Sequence, residues 1–236
     1  MSTKCIIPVI LCCTLCYSSD QAWFRLTGFS SNGRYALWET GGVHDGSGFP
    51  WISMEVLDLT DGRQAAEFSQ VWEDSECSDP DFTIADSAGK ELCLAFDIQR
   101  GNWQEPIVYY PVTDLSHGGD TTSFCLETYS PEYNSGELKL VVSSEQGKAC
   151  AGYPDWFPPP AHLTVELGNE EKFFVLFSEE TLSEKYSLFY SYELAGIWRN
   201  PFNSSSLLIL LHGKTPGFEG SNGRYRAVTA LLPEEI

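Results

Sequence analysis

The chain has 236 residues, with 33 acidic against 14 basic side chains and a formal net charge of −19. That balance excludes a surface built to neutralise nucleic-acid phosphates or to lie on anionic lipid. Aromatic residues make up 14 % of the chain and charged ones only 20 %, which separates it from disordered acidic tails, whose few aromatics cannot supply a core.

The amino terminus reads as an address. Lys4 precedes an uninterrupted weakly polar or apolar run, Cys5 to Tyr17, which falls short of the roughly 20 residues needed to span a bilayer. A charged start, a short apolar stretch and small residues after it describe a secretory signal peptide over residues 1–18. Cys16 and Ser18 take the −3 and −1 positions, so cleavage is expected before Ser19 and the mature protein is expected to be secreted or periplasmic. A lipid-anchored alternative needs a small residue directly before the modified cysteine. Cys16 follows Leu15 and Cys13 follows Cys12, which fits that pattern less well. No later run is long enough to span a membrane. Removing residues 1–18 leaves Cys77, Cys93, Cys125 and Cys150, which can form two bridges in three ways and lack the close pair of a zinc site.

Residues 19–236 read mainly as strands. Segments rich in aromatic and β-branched residues fall at 23–29, 34–40, 50–59, 107–111, 123–128, 137–142, 162–167, 172–177, 206–212 and 224–232. Alternation such as Trp51-Ile52-Ser53-Met54-Glu55-Val56 is the mark of a half-buried strand. Asn32-Gly33, Asp61-Gly62 and Asn222-Gly223 read as tight turns, because glycine adopts positive φ without steric cost. Between the strands, Asp79-Pro80-Asp81 followed by Ile84, Ala85, Ala88, Leu92, Ala95 and Phe96 predicts one helix over residues 80–100, with Gly89 its weak point. The fold class is therefore mainly β, an antiparallel sandwich or propeller-like sheets with one helix near residues 80–100. A single domain is expected over residues 19–236, with Tyr153–Pro160 as the candidate subdomain boundary at 151–161, since consecutive prolines favour extended, unpaired backbone.

Chemistry is sparse. No nucleophile elbow, His-Glu-x-x-His helix, phosphate-binding loop or dinucleotide fingerprint occurs, so no catalytic, cofactor-binding or metal-ligating residue is assigned. His44, His117, His162 and His212 are scattered singly. Asp74, Glu76, Asp79 and Asp81 lack the fixed ligand spacing of a calcium loop and read as a solvated acidic turn. The candidate ligand or partner residues are Asp45, Gly46 and Ser47, in the stretch Gly41–Phe49, where four glycines in nine residues exceed what a simple hairpin needs. Glycines there allow close approach of a ligand to the backbone; the architectural reading, glycines that only accommodate unusual φ values, is the favoured one.

Four stretches carry a resemblance. Gly28-Phe29-Ser30-Ser31-Asn32-Gly33-Arg34-Tyr35, His44-Asp45-Gly46-Ser47-Gly48-Phe49-Pro50 and Val56-Leu57-Asp58-Leu59 resemble the opening of a bacterial family of predicted secreted proteins of unknown function. Pro216-Gly217-Phe218-Glu219-Gly220-Ser221-Asn222-Gly223-Arg224-Tyr225 is similar to that family's closing block, and it also echoes the chain's own residues 28–35. The resemblance implies export and a β-rich fold, and it carries no activity to transfer. A cysteine expected of the family near Ser187–Tyr192 is absent. The function expected is that of an exported non-enzymatic binding or structural module, without cofactor, whose partner is an unidentified ligand or envelope protein. The alternative is an envelope hydrolase whose carboxylate and histidine groups meet only in space.

Overall fold

The computed structural model describes residues 20–44, 46–73, 82–102, 105–110, 121–125, 137–148, 152–169, 172–179, 184–217 and 221–232, with backbone alone at 121–125 and 137–138. The expected leader 1–18, Asp45, the acidic stretch Asp74–Asp81, His117, Cys77 and Cys150 lie outside them, as does the side chain of Cys125. Strands β1 (Trp23–Ser30), β2 (Tyr35–Val43), β3 (Pro50–Asp58) and β4 (Gln64–Val71) precede helix α1 (Thr83–Ala95). Then come β5 (Ile98–Arg100), β6 (Val108–Tyr109), β7 (Thr121–Cys125), β8 (Glu137–Gln146), β9 (Ala161–Gly168) and β10 (Phe173–Ser178). A short 3-10 turn, Glu184–Tyr186, leads into β11 (Ser191–Asn200), β12 (Asn203–Pro216) and β13 (Ser221–Leu231).

Among the described residues the strands form three antiparallel sheets and close no barrel. The first runs β4-β3-β2-β1-β5, the second β13-β12-β11-β6 and the third β10-β9-β8-β7. Side-chain packing sets their order. Trp38, Leu57 and Phe29 of the first sheet pack with Leu208, Leu210 and Trp198 of the second. On the opposite face of the second sheet, Leu207, Ile209 and Leu211 pack with Leu140, Leu163 and Val165 of the third. The second sheet is thus the middle layer, and β12 shows why. Its run Leu207–Leu211 is unbroken by polar residues because both of its faces are buried, each of the five being 0 % exposed. A strand open to water on one side would alternate instead.

The helix covers the outer face of the first sheet through Ala85, Leu92 and Cys93, which meet Leu37, Met54 and Val56. It begins later and ends sooner than its sequence predicts. Phe82, not an acid, stands at the N-cap and makes no side-chain cap bond. After Ala95 the chain reverses through Asp97, at φ 52°, and Ile98–Arg100 becomes β5 against β1. That pairing supplies backbone partners that a longer helix would forgo, and Asn102 fastens it. The Asn102 Oδ1 accepts from Phe29 N at 2.7 Å while its Nδ2 donates to Phe29 O at 2.8 Å. Gly89 is a contact point rather than a weakness: a Cβ there would lie 3.3 Å from Met54 Sδ and 3.0 Å from Arg100 Nη2. Cys93 is a free thiol.

Three expectations are corrected. Asn32-Gly33 and Asp61-Gly62 do turn, with Gly33 at φ 69° and Gly62 at φ 71°. Asn222-Gly223 does not; it lies inside β13, opposite Thr215 and Lys214 of β12. The expected loop 41–49 is shorter, since Gly41 and Gly42 belong to β2 in register with Ile52 and Trp51. Three strands, β4, β5 and β11, were not expected at all. In Ser191–Asn200 the glycine, alanine, arginine and asparagine dilute the β signal, and the strand exists because β12 supplies nine registered partners. Tyr153–Pro160 connects β8 to β9, which are hydrogen-bonded neighbours of one sheet.

Candidate functional site

The edges of the first two sheets diverge around a cleft of about 430 Å³, within the size range of small-molecule sites. Alternation along β2, β3 and β4 builds its floor. Thr40, Ser53 and Ser69 lie directly across from one another, as do Glu55 and Glu67 one step further. The opposite wall comes from the end of the β12–β13 hairpin, with Thr215, Asn222, Arg224 and Tyr225, and from the segment that carries Lys185, Tyr186 and Leu188.

Charge in the cleft is paired at both ends. Lys185 reaches across it: Nζ lies 2.7 Å from Glu55 Oε1 and 3.7 Å from Glu67 Oε1, and it donates to Gln64 Oε1 at 2.6 Å. Burial raises the Glu55 carboxyl above the ordinary carboxylate range, against the downward pull of Lys185. At the other end Arg224 Nη2 donates to Asp20 Oδ2 at 2.5 Å, and its guanidinium lies 5.0 Å from the Trp51 ring. His44 stacks on the same indole, with ring centroids 5.7 Å apart, and its Nδ1 stands 3.8 Å from Asp20 Oδ2. Close approach of Trp23 and Trp51 is the reason for the glycines of β2. A Cβ on Gly41 would lie 2.6 Å from Trp23 Cζ2 and 2.7 Å from Trp51 O.

Behind the cleft a second charged cluster is fully enclosed. Arg226 donates to Glu179 at 3.0 and 3.3 Å and to Tyr192 Oη at 3.0 Å, with the Tyr186 ring 3.9 Å from its guanidinium. Burial pushes the Tyr192 phenol up to about 12, Arg226 opposing it. Both Nη groups of Arg226 are committed to Glu179 and Tyr192, with Nε alone lacking a hydrogen bond among the described residues, and the cluster reads as a pin between β13 and the chain after β10. His212 is likewise buried, its imidazole pushed toward the neutral form by that burial, and it does not line the cleft.

Of the residues singled out from the sequence, Gly46 and Ser47 fall within the described residues. Gly46 and Ser47 are exposed at the tip of the β2–β3 hairpin. Ser47 Oγ accepts from Phe49 N at 3.3 Å, while His44 N donates to Phe49 O and Gly48 N to His44 O, each at 2.9 Å. Gly46 and Gly48 take φ of 84° and 72° to close that tip. Neither Gly46 nor Ser47 lines the cleft, and Asp45 lies outside the described residues. Sequence reading missed Thr215, and it missed Asp20 and Lys185, whose partners are distant in the chain. It had a usable signal only for Trp51, Ser53 and Glu55, whose period of two puts them on one strand face. Among the described residues no three His, Cys, Asp or Glu side chains are gathered to hold a metal ion, and no helix is long and apolar enough to cross a membrane.

No curated protein and no solved structure matches the chain. A family model described as "Predicted secreted protein (DUF2259)" matches residues 37–230, which takes in most of β2, every strand from β3 to β12 and most of β13. The chain belongs to this family of predicted secreted proteins, whose function is unknown.

Proposed function

We propose that the protein is an exported, non-enzymatic binding module that takes a small polar ligand in the cleft between its first and second sheets. The cleft itself carries the reading: a concave site of about 430 Å³ walled by Ser, Thr, Asn and Trp side chains, with a few convergent polar groups on a largely preformed frame. Export follows the family's description, and cleavage near Ser19 would release the mature chain to the periplasm or the exterior. Residues 19–236 would then act as one unit, with the hairpin tip at Gly46 and Ser47 following the cleft residue His44.

A hydrolase reading draws on one observation, that His44, Glu55 and Glu67 line the same cleft. Their partners count against it. Glu55 is bound to Lys185, and His44 is stacked on Trp51 beside Asp20. General acid–base work needs a group within hydrogen-bond reach of the reacting atom and free to exchange its proton.

The test is a protein-observed NMR titration with neutral mono- and disaccharides, free amino acids and dipeptides. At least one compound is expected to move the Thr40, Ser53 and Thr215 amides in the wild type and not in Ser69→Trp, which fills the cleft. Perturbations confined to other surfaces, or none from the whole set, overturn the reading. Turnover of a bound compound that Glu55→Gln abolishes would move the protein to the hydrolase class.

A further inference from the structure

The outer edge of the first sheet is open. Strand β4 ends that sheet and, among the described residues, pairs only with β3. Trp72 N donates to Pro50 O at 3.0 Å, which sets the phase of the ladder. Ala66, Phe68 and Gln70 turn their backbone groups to β3, and Glu67, Ser69 and Val71 turn theirs outward. The β2–β3 pairing gives the same phase, since His44 N donates to Phe49 O and so commits the odd-numbered residues of β3 to β2. One outward group is answered within the strand: the Val71 carbonyl accepts from Gln70 Nε2 at 2.7 Å.

Proteins blunt such edges with short strands, bulges, lysine or proline. Strands β5 and β6 have three and two residues, β10 is broken by a bulge between Val175 and Phe177, and β13 is flanked by Gln21 at Gly223. Strand β4 has eight residues and neither lysine nor proline. Its register shift lies at its start, where Val56 and Leu57 face Ala66 and Gln64.

The open edge borders the cleft. Glu67, Ser69 and Val71, whose backbone turns outward, also line it, so every second side chain of a strand laid on β4 points to the cleft side. On the opposite wall Leu188 is 46 % exposed. Backbone donors and acceptors repeated at every second residue are met together by an extended peptide and not by a compact ligand. The neighbours select its side chains. Lys185 lies 2.7 Å from Glu55 but 3.7 Å from Glu67, which leaves Glu67 the less neutralised of the two, and a basic residue opposite it makes a favourable cross-strand pair. The excess of 33 acidic over 14 basic residues favours a basic partner over a second copy of this chain.

We propose that the outer edge of β4 receives an extended segment of a basic partner protein as an added antiparallel strand, with an apolar residue opposite Val71, a hydroxyl residue opposite Ser69 and a basic residue opposite Glu67. The proposal rests on the reading of the cleft as the binding site and narrows its ligand to a peptide.

The test titrates the protein with the heptapeptide acetyl-Thr-Val-Thr-Thr-Val-Lys-Thr-amide and with the same peptide N-methylated at its central threonine, which faces Ser69. The parent peptide is expected to shift the Glu67, Ser69 and Val71 amides and to slow their hydrogen exchange. The N-methyl peptide on the wild type, and the parent on Ser69→Pro, are each expected to bind about tenfold more weakly, because each loses edge hydrogen bonds. Proline at 69 spares the ladder to β3, since the Ser69 N–H faces outward. Glu67→Lys is expected to weaken the parent peptide several-fold and to strengthen one carrying glutamate in place of its lysine; this exchange decides the matter if Ser69→Pro does not fold. Equal binding of the N-methyl peptide, with the three amides unprotected, overturns strand addition. Protection of those amides without peptide, rising with protein concentration, assigns the edge to a second copy and overturns the peptide partner. Shifts at Thr40, Ser53 and Thr215 with saccharides or amino acids, and none at the edge with the peptide, overturn the proposal while the cleft reading stands. Silence in both removes both readings.

Discussion

Ser31-Asn32-Gly33-Arg34-Tyr35 and Ser221-Asn222-Gly223-Arg224-Tyr225 are the same pentapeptide in two structures. The first is a tight turn into β2. Gly33 sits at φ 69°, its N–H donates to Ser30 O at 2.9 Å, and Asn32 Oδ1 accepts from Arg34 N at 2.9 Å. The second is straight strand, with Ser221 to Tyr225 opposite Pro216 to His212 of β12. Gly33 is there for its φ and for the close approach of Phe202, whose Cβ would lie 2.9 Å from an added one, whereas Gly223 is there only for lack of a side chain: a Cβ would lie 2.1 Å from Gln21 Oε1 and 2.4 Å from His212 Nε2. The arginines diverge in the same way. Arg34 is half in water over Asp58, while Arg224 is mostly buried against Asp20 and Trp51. Asn-Gly favours a turn only where the chain has no better partner, and β12 is a better partner.

Matched substitutions in the twin segments sharpen this contrast. Arg224→Met should have the largest effect, a loss of about 3 kcal/mol, because it strands a carboxylate whose side chain is 1 % exposed. Urea denaturation would measure it, and a loss under about 1 kcal/mol would place the pair with ordinary surface ion pairs. Gly223→Ala comes next, at about 1–3 kcal/mol for overpacking, together with faster amide exchange at Ala22, whose N–H donates to Gly223 O at 3.2 Å. Gly33→Ala should cost about 1–2 kcal/mol, the ordinary penalty for a Cβ in the left-handed region, and should leave Ala22 exchange unchanged. Should both alanine variants disturb Ala22 alike, the separate roles of the two glycines would be refuted.

Arg34→Met is expected to be mildest, below about 1 kcal/mol, and its effect carries a pH signature. Burial works to raise the Asp58 carboxyl, but hydrogen bonds from Arg34 and Thr60 and the Arg34 charge outweigh it and hold it below the ordinary range. A depressed folded-state value contributes stability that is fully present above the unfolded value, about 3.9, and is lost as pH falls through the folded one. The gap between wild type and Arg34→Met should therefore be constant near neutrality and close in acid. A gap that widened as pH fell would reverse that sign.

The alternation of Trp51 to Val56, the helical spacing after Ile84 and the turn at Asn32-Gly33 were legible because each is decided within a few residues. The helix end was not. Phe96 carries the apolar period past Ala95, but the pairing of Ile98–Arg100 with β1, about 70 residues away in the chain, stops it. Nor was β11 legible, since Tyr192-Glu193-Leu194-Ala195-Gly196 is a weak strand by composition and acquires its conformation from neighbours on both sides. The site was the least readable part. Glycine at 41 and 42 looked like loop flexibility, and it proved to be room for two indoles.

By itself the sequence determined a β-rich acidic chain with a strand over Leu207–Leu211, because hydrophobic period and unbroken apolar runs are local properties of the chain. The tertiary structure alone decided which Asn-Gly turns and which does not, and it brought Asp20 to Arg224 across 204 residues. Partners so far apart leave no period or spacing to read, and they meet only because the sheets that carry them must bury their apolar faces against each other.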